Sequence, residues 1–357
     1  MELFGGKINR AADYAEANFK LMWTAFSDKD RGVILTGMKE ISDDIKTVVR
    51  DTYIADANPI YWLEFPMIGE AYMDLSIGYY SDELPENIHI VSDSLKDKER
   101  LFEHALKLLK EDDKHNEVCL EFDVSAGETK CPSYGFVPYM EDDFTVPENR
   151  DRIKDFFTLI HKEDRIQGAI EVYTKAPDYW KPYYQGISEI RQDAPIRVTW
   201  LLGDECKKIY NENPEKFQID LERVGVKDTD DSAIEQMLEV LSLEGNVEFQ
   251  LDLFEDGSVM PNIGLCVITD YKQEPDTILK NYEDYIKLGL KWGIADDRYK
   301  CITPENKVIV IPYYDDDKGM IHKRISMGLS ILKFKWSKNR LMPLKGYCFM
   351  KSSTSTR

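Results

Sequence analysis

The sequence predicts an α+β fold of about ten antiparallel strands, set out as helix and strand-pair units that recur along the chain. Three observations lead there. The hydrophobic period switches repeatedly between that of a helix and that of a strand. The strands alternate apolar and polar residues, whereas a parallel doubly wound sheet, buried on both faces, would read as unbroken apolar runs. Strand pairs begin near residues 60, 118, 170, 247 and 308, with helical stretches between them.

The first fifty residues read as helical, since Ile8, Ala11, Ala12, Ala15, Phe19, Met22, Trp23 and Phe26 recur at steps of three and four. A second helix is expected from Met38 to Val49. In IYWLEF the period becomes two: Ile60, Trp62 and Glu64 share one face, Tyr61, Leu63 and Phe65 the other, and Pro66-Met-Ile-Gly69 turns the chain into AYMDLSIGYY. A helix over 97–111 carries Leu101, Ala105, Leu108 and Leu109 inward and leads to the pair VCLEFDV and SYGFVPY. Asp151 to Arg165 reads as helix, followed by a short strand at AIEVY, a loop from Lys175 to Tyr184 and a clearer strand at IRVTWLL. A capping box, Ser232-Ala-Ile-Glu235, is expected to open the next helix, before VEFQLDL and NIGLCVI. Asp276 should cap an amphipathic helix that stops near Gly293, and KVIVIPYY, GLSILKFKW and LKGYCFM finish the sheet. The whole chain, 1–357, reads as a single domain: helices over 1–55 on the outside, repeated units over 56–350, and a frayed tail over 351–357.

Composition limits what such a fold can do. A charge of −20, from 66 acidic and 46 basic side chains, opposes binding to phosphodiester backbones or anionic membranes, so neither nucleic acid nor membrane is an expected partner. The six cysteines, Cys119, Cys131, Cys206, Cys266, Cys301 and Cys348, lack CxxC or Cys/His spacing, and no signal segment or run of about 18 apolar residues is present. A reduced, cytoplasmic protein without a resident metal is expected. The Asp pairs and His residues show no ligand spacing, and there is no GxSxG, GxGxxG or GxxxxGK[ST] motif. Tyr179-Trp180-Lys-Pro-Tyr183-Tyr184 reads either as a lid or as core.

The polar strand faces carry Glu64, Tyr72, Asp74 and Ser76; Glu121 and Asp123; Arg197 and Thr199; Glu248, Gln250 and Asp252; Lys333 and Lys335; Lys345 and Tyr347. Two architectures accommodate them. In one, an open sheet turns this face to water. In the other, the sheet closes as a barrel ringed by helices, which removes its edges and turns the polar face into a lumen.

This order of helices and paired strands resembles the ABBA prenyltransferases, including the dimethylallyltryptophan synthases, over residues 55 to 350. The resemblance implies that Glu64, in WLEFP, orients an aromatic acceptor as the catalytic carboxylate. It further implies that Arg197, Lys333, Lys335 and Lys345 hold an allylic diphosphate while Tyr72 and Tyr347 shield the carbocation. Three positions depart from it: Asp74-Leu-Ser76, Glu121-Phe-Asp123 and Glu248-Phe-Gln250 stand where the family has Arg or Lys-x-Tyr. No cofactor is then required, unless Mg²⁺ bridges the diphosphate to these carboxylates. Two functions stay open: isoprenyl transfer to an aromatic small molecule or peptide side chain, and a non-catalytic accessory role in which Glu121, Glu248 and the aromatics bind a peptide or cationic ligand.

Overall fold

The structure, a computed structural model, describes residues 11–25, 42–54, 57–70, 72–81, 115–127, 133–138, 147–159, 161–187, 195–268, 275–301, 307–315 and 319–356, with Leu84 and Leu109. The expected helix over 97–111 otherwise lies outside these residues, as do Ile8, Phe26, the start of the second helix, Cys131 and the Asp pairs at 112–113 and 142–143.

Among the described residues, twelve strands form one antiparallel sheet: β1 (Ile60–Pro66), β2 (Asp74–Tyr80), β3 (His115–Phe122), β4 (Ser133–Pro138), β5 (Lys181–Ile187), β6 (Ile196–Leu202), β7 (Asn246–Leu253), β8 (Val259–Ile268), β9 (Lys307–Asp315), β10 (Gly319–Ser337), β11 (Arg340–Leu341) and β12 (Lys345–Thr356). Strands β1 to β8 pair in chain order, β8 pairs with β10, β10 with β12, and β12 with β1. These pairings close a ring of ten strands, which settles the choice between open sheet and barrel. Ten strands enclose more width than the eight whose interior side chains alone can fill.

Helices cover the outside: α1 (Ala11–Ala25), α2 (Asp43–Asp51), α3 (Pro147–Leu159), α4 (Ile166–Lys175), α5 (Asp204–Glu212), α6 (Glu215–Arg223), α7 (Asp231–Leu241) and α8 (Pro275–Lys291). In α2 the Ser42 hydroxyl accepts the Ile45 N–H at 3.3 Å, Asp43 and Asp44 sit in the positive first turn, and Ile45, Val48 and Val49 are buried. The main core lies between these helices and the outward strand faces. Phe19, Leu63, Phe65, Leu75, Ile77, Leu120, Phe122, Val198, Trp200, Phe249, Leu251, Leu332, Phe334 and Trp336 all belong to it.

Strand β10 holds the ring together. Its first half pairs with β9 and β12, and its last residues pair with β8, with a bulge at Ser330 between Leu329 and Ile331. One extra residue reverses the alternation. Before it, Ile325, Met327 and Leu329 face the helices; after it, Leu332, Phe334 and Trp336 do, and Lys333 and Lys335 turn into the lumen.

Several local expectations are corrected. AIEVY is part of α4, because Ala169, Val172 and Tyr173 at helical spacing form its buried stripe. The third pair is therefore β5 with β6. KVIVIPYY forms β9, which pairs with β10 off the ring, so β10 and β12 make the fifth pair. Helix α7 starts at Asp231, one residue before the expected cap, and Asp230 occupies its N-cap position without a side-chain cap bond. Helix α8 starts at Pro275, placing Asp276 inside its first turn. Residues 351–356 are not frayed: they continue β12 in register with Ile321–Ser326 of β10, the tail gaining a strand partner along its length.

Candidate functional site

Register brings the lumen residues together. Glu64 of β1 lies opposite Tyr347 of β12 and opposite Asp74 of β2, while Lys333 of β10 lies opposite Lys345 of β12 and Cys266 of β8. Glu64 accepts hydrogen bonds from the Lys345 ammonium and the Tyr347 hydroxyl. Burial alone would raise its carboxyl, but Lys345 and Lys333 outweigh burial and hold it down, at about 2. Tyr72, just before β2, places its ring 5.6 Å from the Lys345 nitrogen, a cation–π distance. Asp74 accepts the Ser125 N–H at 2.8 Å, yet burial still raises it to about 6.

At the same end of the barrel, Arg197 of β6 faces Asp252 of β7 in a two-pronged ion pair, Nε to Oδ1 at 2.9 Å and a terminal nitrogen to Oδ2 at 3.3 Å. Burial would raise the Asp252 carboxyl, and the guanidinium keeps it below its ordinary value. Arg197, Asp252, Gln250, Asn262, Ile263, Gly264, Lys333 and Lys335 line a cleft of about 180 Å³. Lys333 and Lys335 make no ion pair or hydrogen bond with a carboxylate among the described residues. Burial lowers both amines, and Lys335, further suppressed by Lys333 and Arg197, falls to about 8.

Further carboxylates line the lumen. Glu121 of β3 accepts the Tyr184 hydroxyl at 3.1 Å, and Glu248 of β7 accepts the Gln250 amide at 2.8 Å, with burial raising the Glu248 carboxyl. Further along the lumen, Ile60, Trp62 and Phe349 form a separate apolar cluster with Tyr80, Cys119 and Tyr347. Beside it burial pushes Glu117 of β3 up to about 7, the Tyr80 hydroxyl offsetting part of the shift, and Lys351 lies 5.3 Å from the Tyr80 ring.

All nine expected site residues, Glu64, Tyr72, Glu121, Arg197, Glu248, Lys333, Lys335, Lys345 and Tyr347, thus lie in or at the mouth of one lumen. Sequence reading missed Tyr184, Glu117, Tyr80, Phe349 and Lys351 as lumen residues. Continuing the period-two faces back from Glu121 and forward from Tyr347 finds Glu117, Phe349 and Lys351, which leaves the two tyrosines. Tyr184 lies within a bulge in β5 between Pro182 and Gln185, and a Cβ on Gly135 of β4 would collide with its ring. Trp180, the other half of the aromatic loop, is core. Cys119, Cys206, Cys266 and Cys348 are free thiols, and no metal-binding group of His, Cys, Asp or Glu is found among the described residues. No helix among them is long and apolar enough to cross a membrane.

Glu117 yields a pH prediction. Its folded pKa, about 7, stands above the ordinary 4.5, so the folded state binds more protons between those values and stability falls as pH rises through them. Glu117→Gln is expected to match the parent at pH 4.5 and exceed it by up to about 3 kcal/mol at pH 8 in urea unfolding. A difference that does not change with pH would refute the assignment.

No known family profile and no curated protein matches the sequence. Among solved structures, the chain is similar in fold to prenyltransferases of the ABBA barrel type. They include 5-dimethylallyltryptophan synthase from Streptomyces coelicolor, at 11% identity over 96% of this chain and 97% of that one, TM-score 0.44. Prenyltransferase PriB, in ternary complex with L-tryptophan and dimethylallyl thiolodiphosphate, is 10% identical over 95% of each chain, TM-score 0.48. AnaPT from Neosartorya fischeri is 9% identical over 97% of this chain and 98% of that one, TM-score 0.49. The barrel itself stands on this chain's own closed strand pairings.

Proposed function

We propose that the lumen holds the diphosphate of an allylic donor and transfers its isoprenyl group to an aromatic acceptor, a small molecule or a peptide side chain. One observation carries this reading: Arg197, Lys333 and Lys335 converge on a single cleft in which the one lining carboxylate, Asp252, is already neutralised by Arg197. Buried ammonium groups without counter-charges favour an anion, and fixed cations stabilise the charge that develops on a departing diphosphate. The C–O bond to the isoprenyl carbon breaks, the electron pair leaves with the diphosphate, and the acceptor ring supplies the pair for the new C–C bond before losing a proton. Trp62, Phe349 and Tyr347 offer aromatic faces to the intermediate carbocation. Glu64 orients the acceptor only by sharing an oxygen with Lys345 or Tyr347. The diphosphate meets cations directly in this cleft, so Mg²⁺ is not needed there; it would enter only toward Glu121 and Glu248.

The test is thermal stability with dimethylallyl diphosphate, with and without Mg²⁺. At a hundred times its Kd the ligand adds about 2.7 kcal/mol. A stabilisation that needs no Mg²⁺ and disappears in the Lys333→Ala/Lys335→Ala variant is expected, and absence of any shift ends this reading. The accessory-protein reading gains from the engaged state of Glu64 and from the further lumen carboxylates Asp74, Glu117, Glu121 and Glu248. It calls for binding of amine-bearing or peptide ligands without turnover.

A further inference from the structure

The cationic cleft also supports a chemistry that isoprenyl transfer does not use. We propose that the Lys335 amine condenses with small anionic carbonyl compounds, α-keto acids or aldehyde acids, whose carboxylate is held by Arg197 and Lys333.

Placement comes first. The bulge at Ser330 turns Lys333 and Lys335 into the lumen, two residues apart on one strand face. Lys335 stands opposite Gly264 of β8, where a Cβ would come within 2.9 Å of the Gln250 side-chain oxygen, so the missing side chain makes room for the Gln250 amide in this cleft.

Charge comes second. Neither lysine has an ion-pair partner among the described residues: Asp252 pairs with Arg197 and Glu64 with Lys345, while Glu121 and Glu248 act on Lys333 only at a distance. Burial disfavours the proton on Lys335, and Lys333, Arg197 and Lys345 act in the same direction against the pull of Asp252, bringing the amine down to about 8. A lysine crowded by cations is an available nucleophile near neutral pH, whereas an ordinary one is almost wholly protonated.

A buried acceptor completes the site. Gln250 is 8% exposed, its side-chain oxygen has no hydrogen-bond partner among the described residues, and it lines the cleft. It is placed to accept the hydroxyl of a carbinolamine. In the reaction the amine lone pair forms the C–N bond while the carbonyl π pair moves to oxygen. That oxygen takes both amine protons and leaves as water, so amine and carbonyl give a neutral imine with no oxidant or reductant.

Trapping tests this directly. The full chain is incubated with glyoxylate and cyanoborohydride at pH 8, and modified peptides are mapped by mass spectrometry. One carboxymethyl group is expected on Lys335, about ten- to a hundredfold faster than on exposed Lys208, reflecting the larger neutral fraction of a lowered amine. Lys335→Arg keeps the charge and should lose the adduct while retaining its melting temperature. Modification of Lys335 no faster than Lys208, or an adduct on Lys333 in its place, overturns the proposal. Failure of the isoprenyl reading is seen separately: dimethylallyl diphosphate then gives no stabilisation, whatever the trapping result.

Discussion

Arg197→Met is expected to lower the unfolding free energy by about 3–5 kcal/mol, because it leaves a buried carboxylate without its cation. Asp252 is 7% exposed, both its oxygens are held by the guanidinium, and its low pKa depends on that contact against a burial effect of opposite sign. Without Arg197 burial prevails and the folded pKa rises above the ordinary 3.8. The variant's stability should therefore fall as pH rises through the new folded value, a slope opposite to that contributed by Asp252 in the parent. Arg197→Met/Asp252→Leu should recover most of the loss, since well-packed apolar residues replace buried ion pairs at little cost. Urea unfolding at two pH values reads both effects. A loss below about 1 kcal/mol that the second substitution does not reverse would mean that the pair is solvated and the lumen wetter than its burial indicates.

The same pair shows what the sequence could and could not disclose. Arg197 and Asp252 were each assigned to a polar strand face by alternation, a local property. Their meeting depends on β6 and β7 pairing in register across the intervening helices α5, α6 and α7, which no local pattern encodes. Glu64 is a sharper case: its partners Lys345 and Tyr347 lie at the far end of the chain, joined to it only because β12 closes the ring against β1. The candidate residues were legible because a strand's faces alternate regardless of its partner. The ion pairing that blocks Glu64 was not legible, and it changes what that carboxylate can do.

Errors of element type had physical causes of their own. Ala-Ile-Glu-Val-Tyr is rich in β-formers, but burial of Ala169, Val172 and Tyr173 on one helical stripe outweighed that preference. β5 was hidden because Pro182 and the bulge after it break the period of two. β9 read correctly as a strand, yet its exclusion from the ring followed from β10 being long enough to hold β9 with its first half and β8 with its last.

Trp200→Ala is expected to cost about 3–5 kcal/mol, the range for removing a large aromatic from a core. Trp200 is fully buried on β6 and touches three rings: Tyr173 of α4 at 5.1 Å, Trp180 at 5.4 Å and Phe249 of β7 at 5.9 Å. It joins the segments whose local signals were weakest, since Tyr173 lies in the misread helix and Trp180 in the aromatic loop. Trp180 adds a hydrogen bond at 2.6 Å to the Tyr210 hydroxyl, which in turn reaches Asp220 at 3.1 Å, so the cluster ties α4, α5 and α6 to the barrel wall. Trp200→Phe should lose much less, because the indole N–H has no partner among the described residues and its removal forfeits no hydrogen bond. Because Thr199, the next residue on β6, holds both the N–H and the C=O of Tyr184, loosening this wall should also disturb the Tyr184–Glu121 contact inside the lumen. Chemical denaturation of the two variants decides it: comparable losses for Ala and Phe would mean that the wall needs the full size of the indole, and a loss near zero for both would mean that the cluster does not anchor the wall.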